Sequence, residues 1–430
     1  MNLKNLKITW TQEDNIVYLH LNNDKFYFEA PEGYQINEVD HEVKELAIFH
    51  LLWYMGYFEK IGAYEYPSHI HNKINKPLRG QNIGLAFSNG NDSCASLLCL
   101  PADQTIPIYC CRDFSKESSV KVIQQILNKS KAPFNICIED CVNYNYNALR
   151  FMEKAKIKNL KIVKTDFELI RPYILNNENK NYSYGFHSGI GYSAIIILLS
   201  QFYNIGHIAL GGIMESVFLG TGHRFIDVID KKRKGESLFI RWHRIYKAYG
   251  YNFFYPLGGC SEVITTKIIN QSPFKGTACS CNRKIENDKN YCENCFKCFR
   301  NLGMQGKLIN YNLSWGSVLY KFPLKMATSS TYAAQKCGYT NEFLEQYKDI
   351  DLSYLEKYYT PYLEEENNII DMVPNTFREY VKNKLQEYGI KPMNENDINK
   401  LIHCGDYFDN EKYNNLHIKT KDDLVKYLKK

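Results

Sequence analysis

Five of the 14 cysteines of this 430-residue chain fall between positions 279 and 298. Their neighbours are mostly Lys, Arg and Asn, which argues against burial in an ordinary apolar core. Two Cys-x-x-Cys steps, with a further cysteine about ten residues earlier, match the ligand spacing of a tetrahedral zinc site. We predict Zn²⁺ bound by Cys281, Cys292, Cys295 and Cys298. Cys279 is the spare thiol, because the single residue between it and Cys281 leaves no room for a knuckle turn.

A site with four cysteine ligands is closed, so its metal supports the fold and the chemistry belongs elsewhere. The best candidate is an apolar run from Ile83 that enters a small polar turn and then a helix-forming segment ending near Leu100. In that turn Gly90 lets the backbone approach an anion, and Ser88 and Ser93 offer hydroxyl donors. Amides at the start of the helix would also face a phosphate. Asp92 can cap the helix and help to hold Mg²⁺.

Taken alone, this turn is weak evidence, because any connection from a strand to a helix favours Ser, Asn, Asp and Gly. Two other nucleotide motifs are excluded more firmly. No Gly-Lys-Ser/Thr follows the turn, so it is not a Walker loop, and it carries no dinucleotide-type Gly-x-Gly-x-x-Gly.

The turn resembles the Ser-Gly-Gly-x-Asp-Ser motif of the PP-loop ATP pyrophosphatases. Its residues here are Ser88, Asn89, Gly90, Asn91, Asp92 and Ser93. Asn89 replaces one glycine, and asparagine is the non-glycine residue that best tolerates positive φ. The cysteine cluster, about two hundred residues later, resembles the zinc site of the branch that contains 7-cyano-7-deazaguanine synthase. The resemblance implies that these six turn residues bind ATP and that Asp92 and Ser93 act in catalysis.

A second family resembles the chain over a longer stretch, roughly residues 1–310: the ATP-dependent epimerases that invert the terminal glutamate of UDP-N-acetylmuramoyl-L-alanyl-L-glutamate. The similar segments are Phe49–Phe58, Phe254–Leu257 with Ser261–Glu262, Ser280–Arg283 and Cys292–Cys298. Beyond about residue 310 we find no resemblance, so a different substrate could be encoded there.

Between the turn and the cysteines, the run from Ile208 to Ser216 reads as another buried strand that ends in a polar turn. The resembling families place a polar or acidic residue after this strand, which makes Glu215 a candidate catalytic group. A role as a helix cap is an equal alternative for Glu215. Gly212, at the end of the same strand, is a candidate nucleotide contact. Arg224 follows in a glycine-rich loop and would pair with phosphate or carboxylate, although an exposed arginine needs no function. Three further candidates have weaker support: His187, His223 and Cys260.

The periodicity of apolar residues predicts an α/β fold. A hairpin with its turn at Asn22–Asp24 and a helical segment over 41–63 form a small preface, residues 1–80. In residues 81–310, four apolar strands alternate with amphipathic segments, which favours a doubly wound parallel sheet. The resemblance to the PP-loop proteins implies that this sheet has the adenine nucleotide alpha hydrolase-like fold. We predict these strands at Ile83–Phe87, Ile106–Tyr109, Phe134–Ile138 and Ile208–Leu210. Residues 311–430 should be mainly helical.

Composition excludes some functional classes. The net charge of +6 comes from scattered lysines and arginines, so a nucleic-acid groove is not expected. The longest apolar run, Ala194–Leu199, is far too short to cross a bilayer, and no signal peptide is visible. A cytoplasmic protein with reduced thiols is therefore expected, with a homodimer as a candidate assembly.

The resemblance implies adenylation: a substrate oxygen attacks the α-phosphorus of ATP, and pyrophosphate leaves. The leading hypothesis is an enzyme that uses ATP and Mg²⁺ to activate a carboxylate of a small-molecule, nucleotide-linked or cell-surface precursor. An alternative is a relative of the deazaguanine synthase that modifies a protein or nucleic acid, as in phage defence. A third is a nucleotide-binding partner protein without catalysis, motivated by Asn89.

Overall fold

The structure is a computed structural model, and it describes residues 5–52, 60–61, 64–65, 76–129, 134–175, 191–217, 238–278, 281, 285, 291–309, 323–340, 347–364 and 372–404. It divides into two compact units, each assembled from separate stretches of chain. The first comprises residues 1–88, 102–210 and 241–253, and the second comprises residues 89–101, 211–240 and 254–430. The domain boundaries predicted from the sequence, at 80 and 310, stay a prediction.

The described residues contain ten strands. They are β1 (Ile8–Glu13), β2 (Ile16–Leu21), β3 (Asp24–Glu29), β4 (Lys60–Ile61), β5 (Tyr64–Glu65), β6 (Asn82–Ala86), β7 (Thr105–Arg112), β8 (Lys161–Thr165), β9 (Ile205–Leu210) and β10 (Asn252–Phe254). Eight of them form one sheet in the order β1-β2-β3-β8-β7-β6-β9-β10, and β4 pairs with β5.

Fourteen α-helices lie in the described residues. They are α1 (His41–Leu52), α2 (Asn91–Leu98), α3 (Glu117–Lys129), α4 (Phe134–Ala155), α5 (Ile170–Leu175), α6 (Ser193–Leu198), α7 (Met214–Val217), α8 (Leu238–Ala248), α9 (Glu262–Asn270), α10 (Phe296–Gly303), α11 (Pro323–Cys337), α12 (Pro361–Glu364), α13 (Asn375–Glu387) and α14 (Glu395–Ile402). Within these described segments, no helix combines the length and the apolar character that a membrane crossing requires.

The large sheet is mixed, which confirms the α/β class and corrects the expectation of a wholly parallel sheet. Strands β8, β7, β6 and β9 run parallel, whereas β1, β2 and β3 are antiparallel and join at β8. All six residues of β9 are buried, as a central parallel strand covered on both faces requires. The amino-terminal preface is therefore continuous with the main sheet.

The amino-terminal hairpin forms as the sequence predicted. Leu21 pairs with Asp24 across the turn, and Asn22 takes the left-handed conformation with φ 58°. The helix predicted over 41–63 does not reach its expected end: the described helix α1 spans His41–Leu52, and Lys60–Ile61 lies in a strand.

One strand prediction is wrong. Residues Phe134–Ile138 begin the 22-residue helix α4, and the parallel strand of this region is β8 at Lys161–Thr165. Short apolar runs fit a strand and a buried helix equally well, and the run from Phe134 continues in a long helical segment. Lysines at both 161 and 164 hide the strand character of β8.

A buried ion pair lies where β7 and β8 end. Arg112, the last residue of β7, donates from Nε to Glu168 Oε2 at 2.6 Å, and the Glu168 side chain is 2% exposed. Nη2 of Arg112 donates to the Tyr192 hydroxyl at 3.1 Å. The guanidinium carbon stands 5.0 Å from the centre of the Tyr144 ring, so the charge is enclosed by a carboxylate and two phenols.

Candidate functional site

The four predicted zinc ligands come together in the second unit. The Sγ atoms of Cys281, Cys292, Cys295 and Cys298 all lie within 4.8 Å of one another. Individual separations are 3.8 Å for 281 to 295, 3.6 Å for 292 to 298 and 3.4 Å for 295 to 298. The edge of a sulfur tetrahedron around zinc is about 3.8 Å, given Zn–S bonds of about 2.3 Å, whereas a disulfide is about 2.0 Å long. The donor set therefore fits a metal ion such as zinc. Cys279 lies outside the described residues.

Local backbone geometry explains how this cluster forms. Glu293 has φ 54°, which turns the chain tightly between Cys292 and Cys295. Cys295 is the N-cap of α10, and its sulfur accepts a hydrogen bond from the Cys298 amide. Burial and the neighbouring thiols raise the pKa of Cys292 to about 12. A divalent cation would offset this cost of ionising the four sulfurs.

The polar turn before α2 has the backbone conformation that its sequence requires. Asn89 adopts φ 59°, the left-handed conformation that asparagine tolerates better than most residues other than glycine. Its side chain is fully buried: Nδ2 donates to the Thr277 carbonyl at 2.9 Å, and Oδ1 accepts from the Cys94 thiol at 3.5 Å. Asparagine therefore supplies both the left-handed backbone and a side-chain anchor. That anchor joins the turn to a segment four residues before Cys281.

The other turn residues also make defined contacts. The Ser93 hydroxyl donates to the Gly90 carbonyl at 3.0 Å, and Asn91 Nδ2 lies 3.4 Å from the Thr266 hydroxyl. Gly90 is the N-cap of α2. Ser88 belongs to the first unit, where its carbonyl accepts from the Tyr144 hydroxyl at 2.6 Å.

Two glycines allow the segment before α7 to pack closely. A Cβ on Gly211 would lie 2.9 Å from the Ser93 nitrogen, and a Cβ on Gly212 would lie 2.2 Å from a ring carbon of Tyr255. Both positions exclude any side chain. The structure thus places Gly211 against the start of α2, whereas a nucleotide contact by Gly212 stays a prediction.

Three carboxylates of the second unit interact in the same region. Asp92 Oδ1 accepts from the Thr265 hydroxyl at 2.8 Å, and Glu215 Oε1 accepts from the Glu262 amide at 2.9 Å. Glu262 forms an ion pair with Arg300 at 3.2 Å. Since Arg300 lies on α10, this pair links the helix that carries Cys298 to the first turn of α9.

Glu215 is the most perturbed acid of this group. Its side chain is 1% exposed, and Oε2 has no hydrogen-bond partner among the described residues. Burial, followed by the charge of Glu262, raises its pKa to about 8, and Asp92 adds to the effect. Near neutral pH this carboxyl holds a proton, as a general acid would.

The remaining candidates divide into two groups. Arg224, His187 and His223 lie outside the described residues. Cys260 is fully buried, with its sulfur 3.6 Å from the Tyr362 hydroxyl, and burial raises the pKa of its thiol to about 12. Because such a thiol stays protonated near neutral pH, the geometry favours packing over nucleophilic attack. Sequence reasoning missed Thr265, Thr266 and Arg300, for which no local motif gave a signal.

Glu215→Gln is expected to stabilise the protein increasingly as the pH rises. Below pH 4.5 the carboxyl is protonated in folded and unfolded chains alike, and between 4.5 and about 8 only the unfolded chain ionises, so wild-type stability falls through this window. The variant has no ionisable carboxyl at this position and does not lose this stability. We expect its free energy of unfolding to exceed that of wild type by about 2–5 kcal/mol at high pH. Melting temperatures from pH 4.5 to 9 measure it.

The exposed Glu153→Gln provides the matched control and should show no such trend. Asp166, whose pKa burial raises to about 7, titrates in both proteins and cancels in the difference. A constant difference between wild type and Glu215→Gln at every pH would contradict the assignment.

Residues 241–403 match a family described as "Family of unknown function (DUF6395)". The matched segment holds α9, the cysteine cluster and α10–α14, and it covers less than half of the chain. No match was found among curated proteins or among solved structures.

Proposed function

We propose that this chain is an ATP-dependent, adenylate-forming enzyme of the PP-loop pyrophosphatase type, acting on a carboxylate of a nucleotide-linked or cell-surface precursor. The observation that carries the proposal is the conformation of Asn89. Its left-handed backbone, directly before the N-cap Gly90, is a conformation that the glycine of the motif would also adopt readily. The loss of one glycine is therefore compatible with an intact phosphate loop.

The residues around the turn fit a phosphate group. Gly90 and Asn91 begin α2, where the positive end of the helix dipole favours an anion. The approach of Gly211 to Ser93 keeps bulky side chains away from this end of the helix. Asp92, fixed by Thr265, would hold Mg²⁺, which neutralises charge on the departing pyrophosphate.

The proposed reaction joins a substrate carboxylate oxygen to the α-phosphorus of ATP and breaks the bond to pyrophosphate. Adenylation makes the carboxyl carbon easier to attack and its α-proton more acidic, so one core can serve amide formation, nitrile formation or epimerisation. Glu215 is suited to deliver or accept a proton, because its pKa of about 8 lies near the working pH. The cysteine site, with four protein ligands, would have a structural role.

Pyrophosphate release tests this proposal. The assay would contain ATP, Mg²⁺ and a pool of small-molecule carboxylates, and we expect Asp92→Ala to lower the release rate at least about 100-fold. Asp92→Asn should lower the rate of pyrophosphate release by a similar factor, because the asparagine amide keeps the hydrogen bond to Thr265 but lacks the negative charge. Equal release from wild type and both variants would contradict the proposal, provided that their melting temperatures agree.

The same assay distinguishes the alternatives. If wild type binds ATP but releases no pyrophosphate with any carboxylate, a macromolecular substrate or a binding role gains support. An added deazapurine on a co-expressed protein or nucleic acid, detected by mass spectrometry, would then identify a deazaguanine-type reaction.

A further inference from the structure

We propose that a pocket in the first unit, between the β2–β3 hairpin and the start of α3, binds a small phosphorylated molecule through Lys25, Lys116 and Ser118. The proposal is independent of the proposed function. The pocket has a volume of about 590 Å³ and is lined by Tyr18, His20, Asn23, Asp24, Lys25, Lys116, Glu117, Ser118 and Lys121. We call it the lysine pocket. Its volume is typical of small-molecule sites.

The acid inside the pocket is already satisfied. Asp24 accepts hydrogen bonds from Tyr173 at 2.8 Å and Gln125 at 3.0 Å, and it forms an ion pair with Lys121 at 3.0 Å. Lys121 and Asp24 therefore cancel each other's charge. The remaining charged residues of the pocket are Lys25, Lys116 and the exposed Glu117, so the pocket has a net positive charge.

Lys25 and Lys116 form no ion pair within the described part of the chain. Each ammonium instead stands over an aromatic ring: Lys25 Nζ is 4.2 Å from the centre of Tyr18, and Lys116 Nζ is 5.0 Å from the centre of Tyr27. A ring face orients an ammonium without neutralising it, so its N–H groups stay able to bind an anion.

A buried hydroxyl is the second sign of a ligand. Ser118 Oγ has almost no solvent access and no hydrogen-bond partner among the residues described. A buried polar atom without a partner costs roughly 1–3 kcal/mol, and rotation of the Ser118 hydroxyl toward an acceptor oxygen in the pocket would relieve that cost. Ser118 lies in the first turn of the 13-residue helix α3, where the dipole also favours negative charge.

His20 is consistent with a positive pocket. Its Nε2 is 2.7 Å from the Thr11 hydroxyl, and burial followed by the charge of Lys25 lowers its pKa. It is therefore neutral near pH 7 and adds a ring to the wall, not a charge. Two ammonium groups, a hydroxyl and a helix start suit a phosphate, whose several oxygens carry up to two charges, while Tyr18 offers apolar surface to an organic part.

Titration with inorganic pyrophosphate in the absence of Mg²⁺ tests the proposal. Mass spectrometry after brief acetylation of the full-length protein would show whether the ligand protects each lysine. We expect Lys25 and Lys116 to be acetylated at least about threefold more slowly, and the exposed Lys158 to be unchanged. Calorimetry measures the affinity of the lysine pocket for pyrophosphate. The double variant Lys25→Gln/Lys116→Gln should abolish this binding or weaken it about tenfold, whereas Lys158→Gln should leave it unchanged.

Ser118→Ala separates ligand binding from fold support. Removing an unpartnered hydroxyl should leave the melting temperature unchanged or higher, yet weaken pyrophosphate binding. Absence of protection at both lysines would overturn the proposal. So would protection by a single-stranded oligonucleotide but not by pyrophosphate, which would identify a nucleic-acid surface.

Discussion

The variant Cys295→Ser is expected to lose stoichiometric zinc binding, and its second unit is expected to be less stable. Wild-type protein should contain about one zinc per chain. Loss of one ligand removes the metal that would hold the three remaining cysteines together, and we expect a loss of at least about 3 kcal/mol, seen as a fall of roughly 10 °C in melting temperature. Because serine is itself a good N-cap, α10 keeps its cap and the loss reports on the metal. Zinc analysis and thermal unfolding measure the two effects.

Cys337→Ser is the matched control. This cysteine is partly exposed, its thiol donates to the Ala334 carbonyl at 3.7 Å, and it lies outside the cluster. Its replacement should change neither zinc content nor melting temperature. Wild type that contains no zinc, together with Cys295→Ser that melts like wild type, would overturn the structural-metal assignment.

Breaking the ion pair between Arg112 and Glu168 should strongly destabilise the protein. Arg112→Met leaves the Glu168 carboxylate buried opposite an apolar side chain, and we expect a loss of about 3–5 kcal/mol. Replacing both residues by Met removes both charges, so the double variant should be more stable than Arg112→Met alone. Thermal unfolding of wild type, of Arg112→Met, of Glu168→Met and of the double variant gives the comparison.

The exposed Lys158→Met reports the effect of losing one positive charge without breaking a buried pair, and it should melt like wild type. The prediction would be wrong if the double variant lost at least as much free energy of unfolding as the two single variants lose together. The two side chains would then not be coupled in the way that their separation implies.

Sequence patterns predicted the parts of this protein that local chemistry determines. The spacing of Cys292, Cys295 and Cys298 indicated a metal cluster because each knuckle is a short local turn. The tolerance of asparagine for positive φ predicted the backbone at Asn89. Strands β6, β7 and β9 were found because each is a continuous apolar run between polar turns.

Other features depend on contacts between distant segments, and the sequence alone did not reveal them. Asp92 and Thr265 are 173 residues apart, and their hydrogen bond exists because α2 packs against α9. The link from Arg300 to Glu262 likewise follows from tertiary packing. Strand β8 was missed because its lysines mask a half-buried strand, and α4 was misread because a five-residue apolar run has no unique period.

The amino-terminal hairpin has a practical consequence for dissecting the protein. Strand β3 lies against β8, where Phe28 pairs with Thr165 and the Tyr27 amide donates to the Asp166 carboxylate at 2.7 Å. A fragment that starts at residue 81 would expose the β8 edge, whose free amides and carbonyls invite pairing between chains and aggregation. In the whole chain that outer edge is β1, whose Thr9, Thr11 and Glu13 are exposed to water. Residues 5–29 are thus edge protection for the sheet, and a minimal fragment has to retain them.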